Sequence, residues 1–130
     1  MSWQAYVDTS LVGTGHVDKA LICDVSGQTT WASSPGFSLT AAEMGAIASS
    51  FGDKSEPKSV LSNGVKANGD KFMTIEATDD TLIAKKGKEG LVAYKTTQAI
   101  LIAHHDQDTQ TPSAFNAVAE LGLYLKGVGY

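Results

Sequence analysis

The run Ala99-Ile100-Leu101-Ile102-Ala103 contains no polar residue. A strand with one wet face alternates apolar and polar side chains, so a run that does not alternate is covered on both faces. These residues predict a strand in the middle of a sheet, with helices packed above and below. The rest of the chain offers both components. Ser2 can cap a helix whose Trp3, Tyr6, Val7, Ser10 and Leu11 share one face, ended by Gly13 and Gly15. Thr40-Ala41-Ala42-Glu43 is a capping box flanked by the apolar pair Leu39 and Met44. The helix it opens buries Met44, Ile47, Ala48 and Phe51 and stops at Gly52. Thr111 caps a last helix with Pro112 at its first position and a buried stripe of Ala114, Val118, Leu121, Leu125 and Val128.

Strand signals fill the intervals. Val17 to Val25 and Thr30 to Ala32 flank a turn at Gly27, and a polar loop covers Asp53 to Pro57. Asn68-Gly69 is a strong hairpin turn leading into Lys71 to Ala77, with Phe72, Thr74 and Glu76 on one face and Met73 and Ile75 on the other. Leu82 to Lys85 and Leu91 to Lys95 follow, joined by a loop over residues 86–90. The expectation is one α+β domain over residues 1–130, an α/β sandwich around a central antiparallel sheet of about six to seven strands.

Both ends of the chain carry large aromatics with a polar handle, where termini usually fray. Trp3, Tyr6, Tyr124 and Tyr130 sit there, and Trp31 is the one other indole. Rings held at an amphipathic surface suit a flat, apolar ligand that accepts hydrogen bonds. A polyproline helix is such a ligand, with exposed carbonyls and little entropy left to lose. Tyr130 follows Tyr124 by about 240° of helical turn, so Gly127 and Gly129 must unwind the tail for both to share a face.

Charge narrows the partners. The net charge of −4 argues against general nucleic-acid binding. Residues 1–55 hold two lysines against five acids, residues 56–95 seven against six, and residues 96–130 one against three. There is no arginine, so any anion site must use point charges, for which Lys85, Lys86 and Lys88 form the best cluster. Cys23 is alone, which fits a reducing compartment, and no apolar run reaches the ~20 residues that span a bilayer. No nucleophile, phosphate-loop or dinucleotide motif is present, so no catalysis and no cofactor are expected. His104 and His105, with Asp106 and Asp108 nearby, raise a metal-hydrolase reading. Adjacent strand residues face opposite ways, and a loop-edge pair without an ion is the better expectation.

The opening Trp3-Gln4-Ala5-Tyr6-Val7-Asp8, the lone Trp31, the Lys85-Lys86-Gly87 turn and the Tyr124-Leu125 ending resemble profilins of fungal and amoeboid type, across the whole chain. The resemblance implies a cytoplasmic, cytoskeleton-associated, monomeric protein. It would bind actin monomers, proline-rich segments of formin-type assembly factors and, weakly and peripherally, acidic phosphoinositides. It places the terminal helices side by side on one sheet face and shorter helices on the other. Trp3, Tyr6, Trp31, Tyr124, Leu125 and Tyr130 would then form the polyproline groove. Lys66, Lys71, Lys85, Lys95, Ala114, Phe115 and Asn116 would face actin, on the side opposite the groove. Lys71, Lys85, Lys86 and Lys88 would meet phosphoinositides. Glu76 stands where relatives usually carry Arg and Ser113 where they usually have Gly, which implies weaker lipid binding. It also opens an alternative, a proline-motif scaffold whose actin face has decayed.

Overall fold

The computed structural model describes residues 2–54 and 59–130. Its strands are β1 (Lys19–Asp24), β2 (Thr30–Ser33), β3 (Val65–Ala67), β4 (Asp70–Ala77), β5 (Thr81–Lys86), β6 (Glu89–Lys95) and β7 (Ala99–His105). They form one antiparallel sheet in the order β2-β1-β7-β6-β5-β4-β3. All of β7 is buried, as its unbroken apolar run requires. Ile100 and Ile102 join the core under α2 (Ala41–Gly52), whereas Ala99, Leu101 and Ala103 join a second core under α4 (Thr111–Gly127) and the N-terminal helix. The sandwich is thus a sheet between two helical layers.

Local rules explain the helix boundaries. Thr40 Oγ1 accepts from the Glu43 amide at 3.1 Å, and the Thr40 amide donates to Glu43 Oε1 at 2.9 Å. The other Glu43 oxygen accepts from the Gly69 amide at 3.0 Å, tying the helix start to the β3–β4 hairpin. Within α2 the buried set is Met44, Ile47, Ser50 and Phe51; Ala48 is half-buried. Asp53 and Lys54 follow it, while positions 55–57 of the expected polar loop lie outside the described residues. The short α3 (Ser59–Asn63), too brief to show a period, was not signalled by sequence.

Four expectations need correction. The N-terminal segment is not one regular helix. It runs as α1 (Trp3–Ala5), a π-helical stretch Tyr6–Leu11 and a 3₁₀ turn Val12–Thr14, and Gly15 rather than Gly13 ends it. Spacings of three and four residues keep one apolar face under either winding, so the pattern does not distinguish them. The β5–β6 connection is only Gly87-Lys88, because Lys86 and Glu89 pair across the strands. Gln110, not Thr111, is the N-cap of α4, and Pro112 is therefore its second residue; the Thr111 hydroxyl is held instead by His105 Nε2 at 2.8 Å. Val128 lies beyond the last helical turn and is 51% exposed, so it leaves the buried stripe.

Candidate functional site

The N-terminal helix and α4 lie on the same side of the sheet, and their rings meet β2 in one exposed cluster. Trp3 is its hub, 4.7 Å from Trp31, 5.1 Å from Tyr130 and 5.6 Å from Tyr6, centroid to centroid. Tyr6 continues the row to Tyr124 at 6.3 Å. Trp3, Tyr6 and Trp31 are half-buried, whereas Tyr124 and Tyr130 are 55% and 42% exposed. A contiguous aromatic surface of this kind, open to water, marks a docking site. Leu125 is 1% exposed and belongs to the core below, so it supports the rings without offering them a partner surface.

Each ring is positioned by its own local device. Trp31 is the extra residue of a β-bulge, since Ala32 pairs with Ile22 and Thr30 with Cys23. Thr30 points to α2, where its hydroxyl meets Met44 Sδ at 3.3 Å, and the bulge lets Trp31 join Ala32 on the other face. The preceding turn is clamped by Asp24, which accepts from the Ser26 hydroxyl and from the amides of Gln28 and Thr29 at 2.8 and 2.9 Å. Those bonds, led by Ser26 and Thr29, hold its carboxyl below the usual carboxylate range. Gln4 Nε2 donates to the Ser33 carbonyl at 2.9 Å, fastening Trp3 beside β2.

Tyr130 returns to the cluster because the helix ends as the glycines suggested. Gly129 adopts φ 95°, the Tyr130 amide reaches back to the Leu125 carbonyl at 2.8 Å and that of Gly129 to Lys126 at 3.3 Å. This is the left-handed termination that glycine makes cheap. Thr96 Oγ1 donates to the Tyr130 backbone oxygen at 2.7 Å, and Gln98 Nε2 to the Gly129 carbonyl at 2.7 Å. Sequence reasoning gave no such role to Gln4, Asp24, Thr96 and Gln98, because polar residues at the ends of short elements and in loops carry no periodic signal.

A second exposed surface lies on the same side of the sheet, beyond α4, not on the opposite side as expected. The reason is packing: α4 covers β6 and β7 and leaves β5, β4 and β3 open on that face. Lys66 pairs with Lys71 and Met73 with Lys85, so all four share the face; Met73 and Ile75 are 63% and 57% exposed. A hollow of about 420 Å³ joins Ile75, Ile83 and Lys85 to Pro112, Phe115 and Asn116. Ile75 is the extra residue of another bulge, between Thr74 opposite Ala84 and Glu76 opposite Ile83. Glu76 is thereby turned away from Phe72 and Thr74 onto the face of the lysines, a reversal no alternating pattern foretells.

Two residues expected here do not join. Lys95 pairs with Ile100, which puts it on the α2 face, and Ala114 is fully buried beneath α4. The lysine turn also divides. Lys86 is bound by Asp70 at 2.9 Å, a contact that raises the lysine pKa and lowers that of the carboxyl. Lys85 points to the other face, and Lys88 sits in the turn itself.

His104 and His105 are in β7, not at a loop edge, and are buried. Their side chains diverge: His104 lies between Asp18 and Glu89 at 2.6 and 3.2 Å, His105 against Thr111. No group of three or more His, Cys, Asp or Glu is placed to hold a metal among the described residues. Cys23 is buried in the α2-side core, and burial pushes its thiol up to about 12, with Asp24 adding to the effect.

A family model described as Profilin matches residues 1–130. The chain is 41% identical over 130 residues to a profilin of Schizosaccharomyces pombe, covering all of both chains. The crystal structure of Acanthamoeba castellanii profilin II superposes with a TM-score of 0.93 at 42% identity, over 99% of this chain and 100% of that one. Mouse profilin IIa, solved in complex with a double repeat from the FH1 domain of mDia1, gives a TM-score of 0.78 over the full length of both chains. At 17% identity that likeness is one of fold.

Proposed function

The chain belongs to the profilin family of non-enzymatic, cytoplasmic actin regulators, and from that premise we propose that it is a two-site adaptor coupling actin monomers to proline-rich assembly factors. The observation that carries the proposal is the open aromatic row from Trp31 through Trp3 and Tyr6 to Tyr124, with Tyr130 beside Trp3. A polyproline helix stacks its rings on such a row and presents carbonyls to indole and phenol donors. The mouse relative bound to an FH1 repeat supports a formin-type tract as the occupant.

Actin docks on the second surface, where Lys66, Lys71 and Lys85 surround Met73 and Ile75 beside Phe115 and Asn116. Exposed apolar side chains rimmed by charge are what a partner surface requires. Holding the monomer and the proline tract at once raises the local actin concentration by tethering. Acidic phosphoinositides bind weakly at Lys71, Lys85 and Lys88, since Lys86 is already engaged by Asp70. The scaffold alternative rests on Glu76, whose carboxylate now lies among the actin-facing lysines.

Both tryptophans are in the trough, so their fluorescence reports its occupancy. Decaproline is expected to saturate that signal, and actin monomers to bind saturably in a separate titration. Trp3→Ala should weaken decaproline by about 2 kcal/mol or more while leaving actin affinity unchanged. Retained decaproline binding in Trp3→Ala refutes the trough; absence of saturable actin binding establishes the scaffold alternative.

A further inference from the structure

The trough does not stop at Tyr124. A hollow of about 330 Å³ continues it between the N-terminal helix and α4, lined by Tyr6, Ser10, Ala117, Glu120, Leu121 and Tyr124. A second hollow of about 330 Å³ shares Ala117 and Glu120 and runs on past His16 and Asn116. Glu120 is thus the one carboxylate common to both, on the rim of a channel that no lysine lines. Among the described residues no cation is paired with it.

The surrounding charge has the same sign. The trough is built from the two segments in which acids outnumber lysines, residues 1–55 and 96–130. Their lysines are turned elsewhere. Lys19 pairs with His104 on the α2 side, Lys54 lies near Asp79, and Lys126 crosses the far flank of α4 to Tyr94 and Asp80. The channel therefore presents negative charge with no lysine of its own to compensate it.

Resting on the polyproline reading above, we propose that this channel is a specificity subsite that selects proline tracts followed or preceded by a lysine or arginine, through Glu120. The spacing is set by geometry. Glu120 precedes Tyr124 by one helical turn, about 6 Å along the axis, and a polyproline helix rises about 3.1 Å per residue. The cation consequently belongs about two to three residues beyond the proline seated on Tyr6 and Tyr124. Because Glu120 is exposed, its contribution is modest and sensitive to salt.

Tryptophan titrations at low ionic strength test this with blocked octaproline peptides carrying Lys, Gln or Glu two residues beyond either end. At one end the Lys peptide is expected to bind about three-fold tighter than the Gln peptide, and the Glu peptide more weakly. Glu120→Gln should abolish that preference, as should high salt, while plain octaproline binds both proteins equally. Equal affinity for Lys and Gln peptides at both ends overturns the subsite, as does a preference that survives in Glu120→Gln; in either case the trough reading stands if plain octaproline still saturates. Failure of plain octaproline to saturate the wild-type signal refutes the trough itself, and the subsite with it.

Discussion

The Tyr6 and Tyr124 rings adjoin in the middle of the trough, centroids 6.3 Å apart, with Tyr130 nearby. Burial, the hydrogen-bonding influence of Tyr124 and the neighbouring phenols all disfavour the phenolate, so Tyr6 titrates above its ordinary value of 10.0. The neutral hydroxyl is the form that donates to a proline carbonyl. It persists up to the ordinary phenol range and is lost only as pH rises through the elevated value. Oligoproline affinity should therefore stay level between about pH 6 and 9 and fall only above about pH 10. A midpoint near neutrality in the tryptophan titration would contradict this assignment. At the same scale, Trp31 and Ile75 lie on their expected faces yet limit what a sequence pattern can say about their neighbours. Each is the extra residue of a bulge, and a bulge reverses the alternation on which face assignments depend. Glu76 was expected beside Phe72 and stands opposite Ile83 for that reason. Lys95 illustrates the complement: its regular pairing with Ile100 carries it to the α2 side, away from Lys66, Lys71 and Lys85.

Among the elements, α4 does the most to shape both surfaces, and it sits close to the sheet because Gly122 lies on Tyr94. A Cβ at Gly122 would come within 2.2 Å of that ring. The ring is buried, with Lys126 Nζ on its hydroxyl at 3.1 Å, so it has little room to yield. Gly122→Ala gains about 1 kcal/mol of helix propensity but overpacks the contact, which costs about 1–3 kcal/mol. The net expectation is destabilisation by about 1 kcal/mol, read as a melting temperature lower by several degrees; an unchanged or higher value would show that the helix lifts freely. Elements with strong local chemistry were legible in advance: the Thr40–Glu43 box, the Asn68-Gly69 turn with φ 53° and 85°, and the buried β7 all follow from short-range rules. The π-helical winding after Ala5, the Thr111 hydroxyl diverted to His105 and the short α3 do not. Those depend on what the segment packs against, which no window of neighbouring residues contains.

Across the whole molecule, the aromatic trough and the lysine-rimmed surface occupy one side of the sheet with α4 between them. Sequence pointed to both sets of residues, yet it set them back to back, because nothing in a linear pattern says which strands a helix leaves bare. The arrangement predicts separable losses. Lys85→Ala should weaken actin binding by about three- to ten-fold at low salt, and Lys95→Ala by less than about two-fold, with oligoproline affinity untouched in both. A larger loss from Lys95→Ala than from Lys85→Ala would place actin on the α2 side instead. The helix between the sites has 17 residues, which at about 1.5 Å each makes a strut of about 25 Å. A strut of that length works as a ruler. One polypeptide reaching from the rings to the far end needs about eight extended residues, at about 3.1 Å apiece. A shorter connection can engage only one end at a time, and a much longer one hangs slack, diluting the second contact that the first was meant to favour.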